Sequence, residues 1–316
     1  MGVIERTSPV AERMRVPSRR LLRRLAVASL VSNIVIVVTG GAVRLTASGL
    51  GCPTWPRCTD TSFVVHDAMG AHGFIEFGNR MLTFVLAAVA IATWVAAMRY
   101  RPRRRSLRRL ATVLVLGVPA QAVLGGFTVL TDLNPYVVSL HLLLSLGMIA
   151  AAVVLVRRVD EDDRPSQPTM PVPAVRLAQA TYAAVWVVLY VGTVVTGSGP
   201  HAGDTDAPRN GLLPAAISQV HADLVFLLVG LTVGTLVAFL VTRAPDRAVR
   251  AVTWLLGIEL AQGLIGFVQY FTDLPIVLVG AHVLGAALVT AAATWMLLGT
   301  RERGLAARQD PTLSAS

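Results

Sequence analysis

Eight apolar segments of about 20 residues each constrain the fold of this chain more than any other feature. A helix of that length crosses a lipid bilayer, and only 15% of the 316 residues are charged whereas 54% are hydrophobic. We therefore predict an all-α, multi-pass integral membrane protein. The predicted spans are residues 25–43, 73–98, 110–130, 137–156, 177–197, 216–241, 251–270 and 276–299.

The basic residues predict how the chain lies in the membrane. All 28 are arginine, and 24 of them fall in the tails and loops that would share one side. Because cytoplasmic loops carry the excess of positive charge, we expect both termini in the cytoplasm. The net charge of +10 then needs no nucleic acid to explain it, and the arginines of residues 99–109 fit contact with anionic lipid.

The segments outside the spans suggest the cell compartment and the domain boundary. The basic tail, residues 1–24, contains Glu5 and Glu12, and acidic residues are rare in mitochondrial transit peptides, the rival interpretation. We therefore favour a bacterial inner membrane. Residues 157–176 form a charged, proline-rich cytoplasmic linker between two halves, and residues 300–316 form a polar cytoplasmic tail.

One stretch of the chain occurs twice. Residues 121–141 and 262–282 align without a gap at a shift of 141 positions and share Gln, Gly, a Thr-Asp-Leu triplet and a final His. Each copy is typical of a helix, a short polar turn and a second helix. The repeat predicts two pseudo-symmetric four-helix bundles, residues 25–156 and 177–299, with two related sites.

Three histidines lie at similar depth inside even-numbered spans, namely His141, His221 and His282. An ionisable or metal-binding side chain inside a membrane is costly, and function is the first hypothesis for it. A histidine hydrogen-bonded between helices is the alternative for any single one. Paired imidazoles in a helical bundle commonly hold haem iron, and we favour that role for His221 and His282.

The second span begins with residues that differ from its repeat partner. His72, Glu76 and Asn79 are spaced to share one helix face, and Arg80 follows them. Aligning Asn79 with His221 shows that the first half has a carboxylate and an arginine where the second has a ligand. Glu76 fits proton-coupled chemistry, although a structural ion pair is the alternative. Arg80 fits pairing with a carboxylate such as a haem propionate.

The chain has two cysteines, Cys52 and Cys58, in the loop after the first span. Outside the cytoplasm a disulfide is the favoured interpretation. A zinc site formed by these cysteines with His66 and His72 is the alternative, but five residues between the cysteines exceed the usual two to four.

These motifs together resemble those of the haem A synthase family. The resemblance rests on GGAVRLTASGLGCPTWPRC, then IEFGNR, then one histidine in each of spans 4, 6 and 8, and it covers residues 25–298. It implies an enzyme that hydroxylates a methyl group of haem O twice, after which loss of water gives the formyl group of haem A for cytochrome oxidase.

The resemblance also assigns roles to particular residues. It implies haem b in the second half with His221 and His282 as axial ligands, and haem O as substrate in the first half with His141 as ligand. It makes Glu76 the residue essential for conversion. Membrane lipid, a redox partner or quinone as electron acceptor, haem O synthase and cytochrome oxidase assembly factors are the expected partners.

One residue departs from the family pattern. Where the motif usually reads Glu-x-x-His-Arg, this chain has Asn79, and an asparagine is a poor axial ligand for iron. Either His72 replaces the missing ligand, or His141 alone holds the substrate haem and leaves one coordination position open. We favour the second because a catalytic site needs an open position.

Two other functions fit the sequence less well. A non-catalytic di-haem electron carrier or haem carrier needs the same bundle, but it needs no Glu76 beside the iron. A secondary transporter built from repeats usually has helices interrupted at mid-membrane.

Overall fold

The structure is a computed structural model that describes residues 16–66 and 70–304. In that part of the chain, eight helices are long and apolar enough to cross a membrane, which confirms the predicted all-α, eight-span fold. The helices are α1 (Arg19–Leu45), α2 (Gly70–Arg99), α3 (Arg105–Leu130), α4 (Pro135–Asp160), α5 (Val172–Ser198), α6 (Pro214–Val241), α7 (Asp246–Phe271) and α8 (Ile276–Gly299).

Most helices extend beyond the predicted apolar spans. The chain begins α1 at Arg19 rather than at residue 25, because Ser18 caps the helix by accepting a hydrogen bond from the Leu21 amide at 3.2 Å. Arg19 and Arg23 both pair with Asp160 at the last residue of α4, at 2.8 and 3.0 Å. Arginines of the predicted tail therefore continue the helix, and residues 1–15 of that tail lie outside the described residues.

The duplicated Thr-Asp-Leu turn has the same backbone in both copies. Asp132 and Leu133 have φ of 51° and 59°, and Asp273 and Leu274 have φ of 58° and 57°. These left-handed residues reverse the chain between α3 and α4 and between α7 and α8. The predicted polar turn is confirmed at both positions.

The helices pack as two rings of four. Neighbours in sequence contact one another within each ring, and the contacts of α1 with α4 and of α5 with α8 close the rings. Helices α1, α4, α5 and α8 also join the two rings. A symmetry operation that relates the rings stays a prediction.

The two ends of the bundle differ. The disulfide end is the end at which the 46–66 and 199–213 loops lie, and the arginine end is the opposite one. At the arginine end, β1 (Gln167–Pro168) of the linker pairs antiparallel with β2 (Arg301–Glu302). The first residues of the predicted C-terminal tail thus pack on the linker, and residues 305–316 lie outside the described residues.

Candidate functional site

A buried ion pair lies near the disulfide end of α2. Glu76 and Arg80 are one helical turn apart, and Glu76 is only 5% exposed. Its Oε1 accepts hydrogen bonds from Nε and Nη2 of Arg80, at 3.1 and 2.5 Å. The carboxylate that the sequence singled out is therefore held in place by the neighbouring arginine.

The first loop closes over this pair. The backbone N–H of Cys52 donates to Oε2 of Glu76 at 2.6 Å, so protein donors bind both carboxylate oxygens. The Arg80 guanidinium also donates to the carbonyls of Cys52 and Thr54, at 3.0 and 3.2 Å. Because all three guanidinium nitrogens already donate to the protein, a propionate at Arg80 would have to share or replace these bonds.

The two cysteines of the loop form a disulfide, with Cα atoms 4.4 Å apart. This confirms the favoured interpretation. The alternative zinc site is wrong, because both sulfur atoms are used in the covalent bond. Within residues 16–66 and 70–304 no group of three or more histidine, cysteine or acidic side chains is arranged to hold a metal ion.

The Trp55 side chain of the loop packs against the neighbouring helix α3. A Cβ atom on Gly126 would lie 2.4 Å from Cδ2 of the indole, so only glycine permits this contact. The adjacent Gly125 contacts His141 in the same way, since its Cβ would lie 3.3 Å from Cε1 of the imidazole. Trp55 and His141 thus lie on consecutive glycines of α3.

A glutamine on α3 hydrogen-bonds to α4, the helix that carries His141. Nε2 of Gln121 donates to the carbonyl of His141 at 3.3 Å and to Oγ of Ser145 at 2.9 Å. Nδ1 of His141 is buried and makes no hydrogen bond with any described residue. The imidazole is positioned by packing and by its backbone, and its buried Nδ1 is left without a partner among the described residues.

The second half has a similar arrangement at the repeat position. Gln262 donates to the carbonyl of His282 at 3.0 Å, and a Cβ on Gly266 would lie 3.6 Å from Cε1 of His282. Nδ1 of His282 is likewise buried without a hydrogen bond to the described residues. The predicted repeat therefore extends from sequence to side-chain contacts.

His221 on α6 completes the second site. Its ring lies on Gly192 of α5, whose Cβ would be 3.1 Å from Cε1 of the imidazole. The helices that carry His221 and His282, α6 and α8, both pack against α7. Two imidazoles from different helices, both seated on glycine, can hold a planar cofactor by its iron.

The first half has no second histidine at the corresponding position. Oδ1 of Asn79 accepts a hydrogen bond of 2.8 Å from Thr39 on α1, so its ligating oxygen already has a partner. His72 is exposed, and its Nδ1 lies 3.0 Å from Oγ of Ser48. It lines a cleft of about 360 Å³ at the disulfide end together with Asp204 of the second loop.

The two loops at the disulfide end bind each other. Arg44, at the end of α1, donates to the carbonyls of His201 and Thr196, at 2.5 and 2.8 Å. The amide of Gly49 donates to the carbonyl of Gly203 at 2.8 Å. These contacts link the first ring of helices to the loop of the second.

Several site residues were missed by sequence reasoning. Gln121 and Gln262 coincide in the repeat, so their signal was present, but an amide gives no sign that it binds the backbone of a histidine. Trp55, Gly192 and Thr39 act through contacts between helices, and nothing in the local sequence indicates them.

Comparisons with known proteins match this chain to one family. The family model described as COX15-CtaA, cytochrome oxidase assembly protein, matches residues 23–220. The chain is similar to the protein named Heme A synthase of Listeria monocytogenes serovar 1/2a, with 29% identity over 181 residues, covering 56% of this chain and 59% of the relative. It is 25% identical to the protein of the same name from Halalkalibacterium halodurans over 268 residues, covering 83% and 88%.

The extent of these matches differs. The match with the Listeria relative spans about three fifths of that protein's length. The match with the Halalkalibacterium relative reaches across most of both chains.

Proposed function

Because the chain belongs to the COX15-CtaA family of cytochrome oxidase assembly proteins, we propose that it is a haem A synthase. It acts as a membrane oxidoreductase that converts a methyl group of haem O into the formyl group of haem A through two hydroxylations and loss of water. The observation that carries this proposal is the difference between the two sites. One has a buried carboxylate and a single membrane histidine, and the other has two histidines, each packed on a glycine of a neighbouring helix.

In the first half, residues 25–156, His141 would hold the iron of the substrate haem O. Its seat on Gly125 and its unpartnered Nδ1 fit this role. The Thr39 hydroxyl donates a hydrogen bond to Oδ1 of Asn79. This favours His141 as the only protein ligand of the haem iron and leaves the opposite coordination position open. His72, exposed at the cleft, is the weaker candidate for that position.

Glu76 is the residue that we assign to catalysis. Oxidation of a methyl group releases protons, and a carboxylate held by Arg80 and by the Cys52 amide can accept one at a fixed position. Trp55 of the first loop packs on Gly126 of α3, and Glu76 is 5% exposed, so little water would reach the carboxylate. Arg80 orients the carboxylate and supplies the positive charge that keeps it paired.

In the second half, residues 177–299, His221 and His282 would hold haem b as axial ligands. The packing of each imidazole on a glycine of a neighbouring helix supports an iron porphyrin between α6 and α8. When bound, haem b supplies a one-electron redox centre. A redox partner or quinone is the proposed electron acceptor.

The proposed location is a bacterial inner membrane, with both termini and the arginine end in the cytoplasm. The positions of 24 arginines support this orientation. The disulfide fits an end that faces an oxidising compartment. Haem O, whose farnesyl tail is apolar, would enter from the lipid and come from a haem O synthase, and the product would go to cytochrome oxidase assembly.

The function is tested in cells that make haem O but lack a haem A synthase of their own. We expect haem A to appear when the full chain is expressed, as seen by chromatography of extracted haems. Bound haem b without any haem A, in membranes shown to contain an electron acceptor, would contradict the proposal and favour the non-catalytic electron carrier.

A further inference from the structure

The second half contains a carboxyl group deep in the membrane that the proposed reaction does not use. Glu259 lies near the middle of α7, about 20 Å from its beginning at Asp246 and about 18 Å from its end at Phe271. It is 3% exposed. An ionisable residue at this depth is costly, which makes a function the first hypothesis.

The contacts of Glu259 satisfy only part of the carboxyl group. Its Oε1 accepts a hydrogen bond of 3.0 Å from the hydroxyl of Thr232 on α6. Its Oε2 is buried without a hydrogen-bond partner among the described residues. An ionised carboxylate with a bare oxygen is unfavourable in such surroundings, whereas a proton on Oε2 removes the charge.

Glu259 lies next to the residue that touches the histidine ligand. Gln262, one helical turn along α7, donates to the carbonyl of His282 at 3.0 Å. The carboxyl group is therefore about one turn deeper in the membrane than the contact with His282. A change of charge at an iron bound by His282 would act on Glu259 through a medium of low dielectric constant.

The repeat shows that this pair is not required to build a ring of four helices. The positions that correspond to Thr232 and Glu259 in the first half are Ala90 and Val118, which pack together in one apolar cluster. The first half thus has the same contact between its second and third helices without any polar group. The polar pair is a feature of the half to which we assign haem b.

The neighbouring helices offer no counter-ion. Helices α6 and α8 pack against α7, and their titratable residues are His221, Asp223 and His282. Glu259 makes no described hydrogen bond or ion pair with any of them. Asp223 is exposed and accepts a hydrogen bond from Gln219. The remaining charged residues of α7, Asp246, Arg247 and Arg250, lie in its first turns.

We propose that Glu259 is a proton-binding site coupled to the haem of the second half, an inference that rests on the proposed function. The positive charge of a ferric iron that His221 and His282 would hold favours the ionised form of Glu259. When a one-electron donor reduces that iron, the positive charge falls and the Glu259 carboxylate takes up one proton from water through Oε2. The added negative charge is thereby balanced. On oxidation the O–H bond breaks, and the electron and the proton leave together.

The test is a redox titration of the purified holoprotein, followed by haem absorption, at several pH values. For a one-electron couple, coupling to one proton lowers the midpoint potential by about 59 mV for each pH unit. We expect the wild type to show a slope approaching this value over part of the range and Glu259→Gln to lose it. Asp246→Asn, which removes a carboxylate about 20 Å away on the same helix, should keep the wild-type slope.

Infrared spectroscopy gives a second readout. The reduced-minus-oxidised difference spectrum should contain a carboxylic C=O band that shifts in D2O and is absent in Glu259→Gln. Thr232→Val retains the carboxyl group but removes its hydrogen-bond donor, so it should move the frequency of this band. If Glu259→Gln does not fold, an unmoved band in Thr232→Val overturns the inference.

The outcomes separate this inference from the proposed function. Haem A formation with identical slopes in wild type and Glu259→Gln overturns the proton site alone. A purely structural tie between α6 and α7 would change thermal stability in the variant but would leave the slope intact. Absence of a bis-histidine haem spectrum would overturn both the assignment of haem b and this inference.

Discussion

The amide of Cys52 donates a hydrogen bond of 2.6 Å to Oε2 of Glu76. The disulfide loop is thereby hydrogen-bonded to the buried carboxylate to which we assign catalysis. Arg80 adds hydrogen bonds to the carbonyls of the same loop. The loop acts as part of the first site rather than as a peripheral cover.

Breaking the disulfide should therefore affect the first site selectively. We expect the double variant Cys52→Ser/Cys58→Ser to lose about 2 kcal/mol of stability, as expected for a short closed loop, and to make several-fold less haem A. Haem b content should be unchanged. Thermal melting in detergent and haem chromatography measure both effects. His66→Gln, a change at an exposed residue of the same loop, serves as the control. An unchanged haem A yield in the double variant would contradict a role of the disulfide loop in the Glu76 site.

The glycines under the histidines should control the two sites separately. A Cβ atom on Gly125 would lie 3.3 Å from Cε1 of His141, and one on Gly266 would lie 3.6 Å from Cε1 of His282. A larger side chain at either glycine would therefore displace the imidazole. We expect Gly125→Val to reduce haem A formation at least tenfold with haem b retained. Gly266→Val should instead reduce the haem b content of the purified protein.

Matched controls exist on the same helices as these sites. A Cβ on Gly147 of α4 or on Gly257 of α7 would meet nothing within 4 Å, so Gly147→Ala and Gly257→Ala should leave both haems unaffected. Equal loss of both haems in Gly125→Val would show a general folding defect and contradict separate sites.

Asn79 gives a spectroscopic prediction for the substrate haem. With His141 as its only protein ligand, ferric haem O bound to the first half should be high-spin. Asn79→His should add a second imidazole and convert that haem to the low-spin form, as measured by electron paramagnetic resonance. Thr39→Val removes the hydrogen bond to Asn79 without adding a ligand, so ferric haem O in this variant should stay high-spin. A low-spin first haem in the parent protein would mean that another residue, such as His72, already binds it.

The sequence was sufficient for the membrane fold because bilayer thickness sets the length of each apolar segment. It was less accurate at helix ends, since arginines such as Arg19 and Arg23 continue α1 beyond the apolar segment through pairs with Asp160. Hydropathy does not register an ion pair between the ends of two helices.

Parts of the site were also visible in the sequence. The repeat indicated His141 and His282, and the helical spacing indicated that His72, Glu76 and Asn79 share a face with Arg80 beside them. The contact of Trp55 with Gly126 and the partner of Asn79 on α1 were not predictable, because both depend on how helices and loops pack. Glu259 was overlooked because its repeat position is an ordinary valine.

The most direct measurement is the haem composition of cells that make haem O and express either the parent chain or Glu76→Gln. Glutamine keeps the size of the side chain and can still accept a hydrogen bond from the Cys52 amide. It cannot take up the proton that the oxidation of the methyl group releases. We predict that the parent forms haem A and that the variant loses it by at least a hundredfold, with an unchanged haem b spectrum. Equal haem A from both would contradict the catalytic role of Glu76, and loss of haem b in the variant would contradict the division of labour between the two halves.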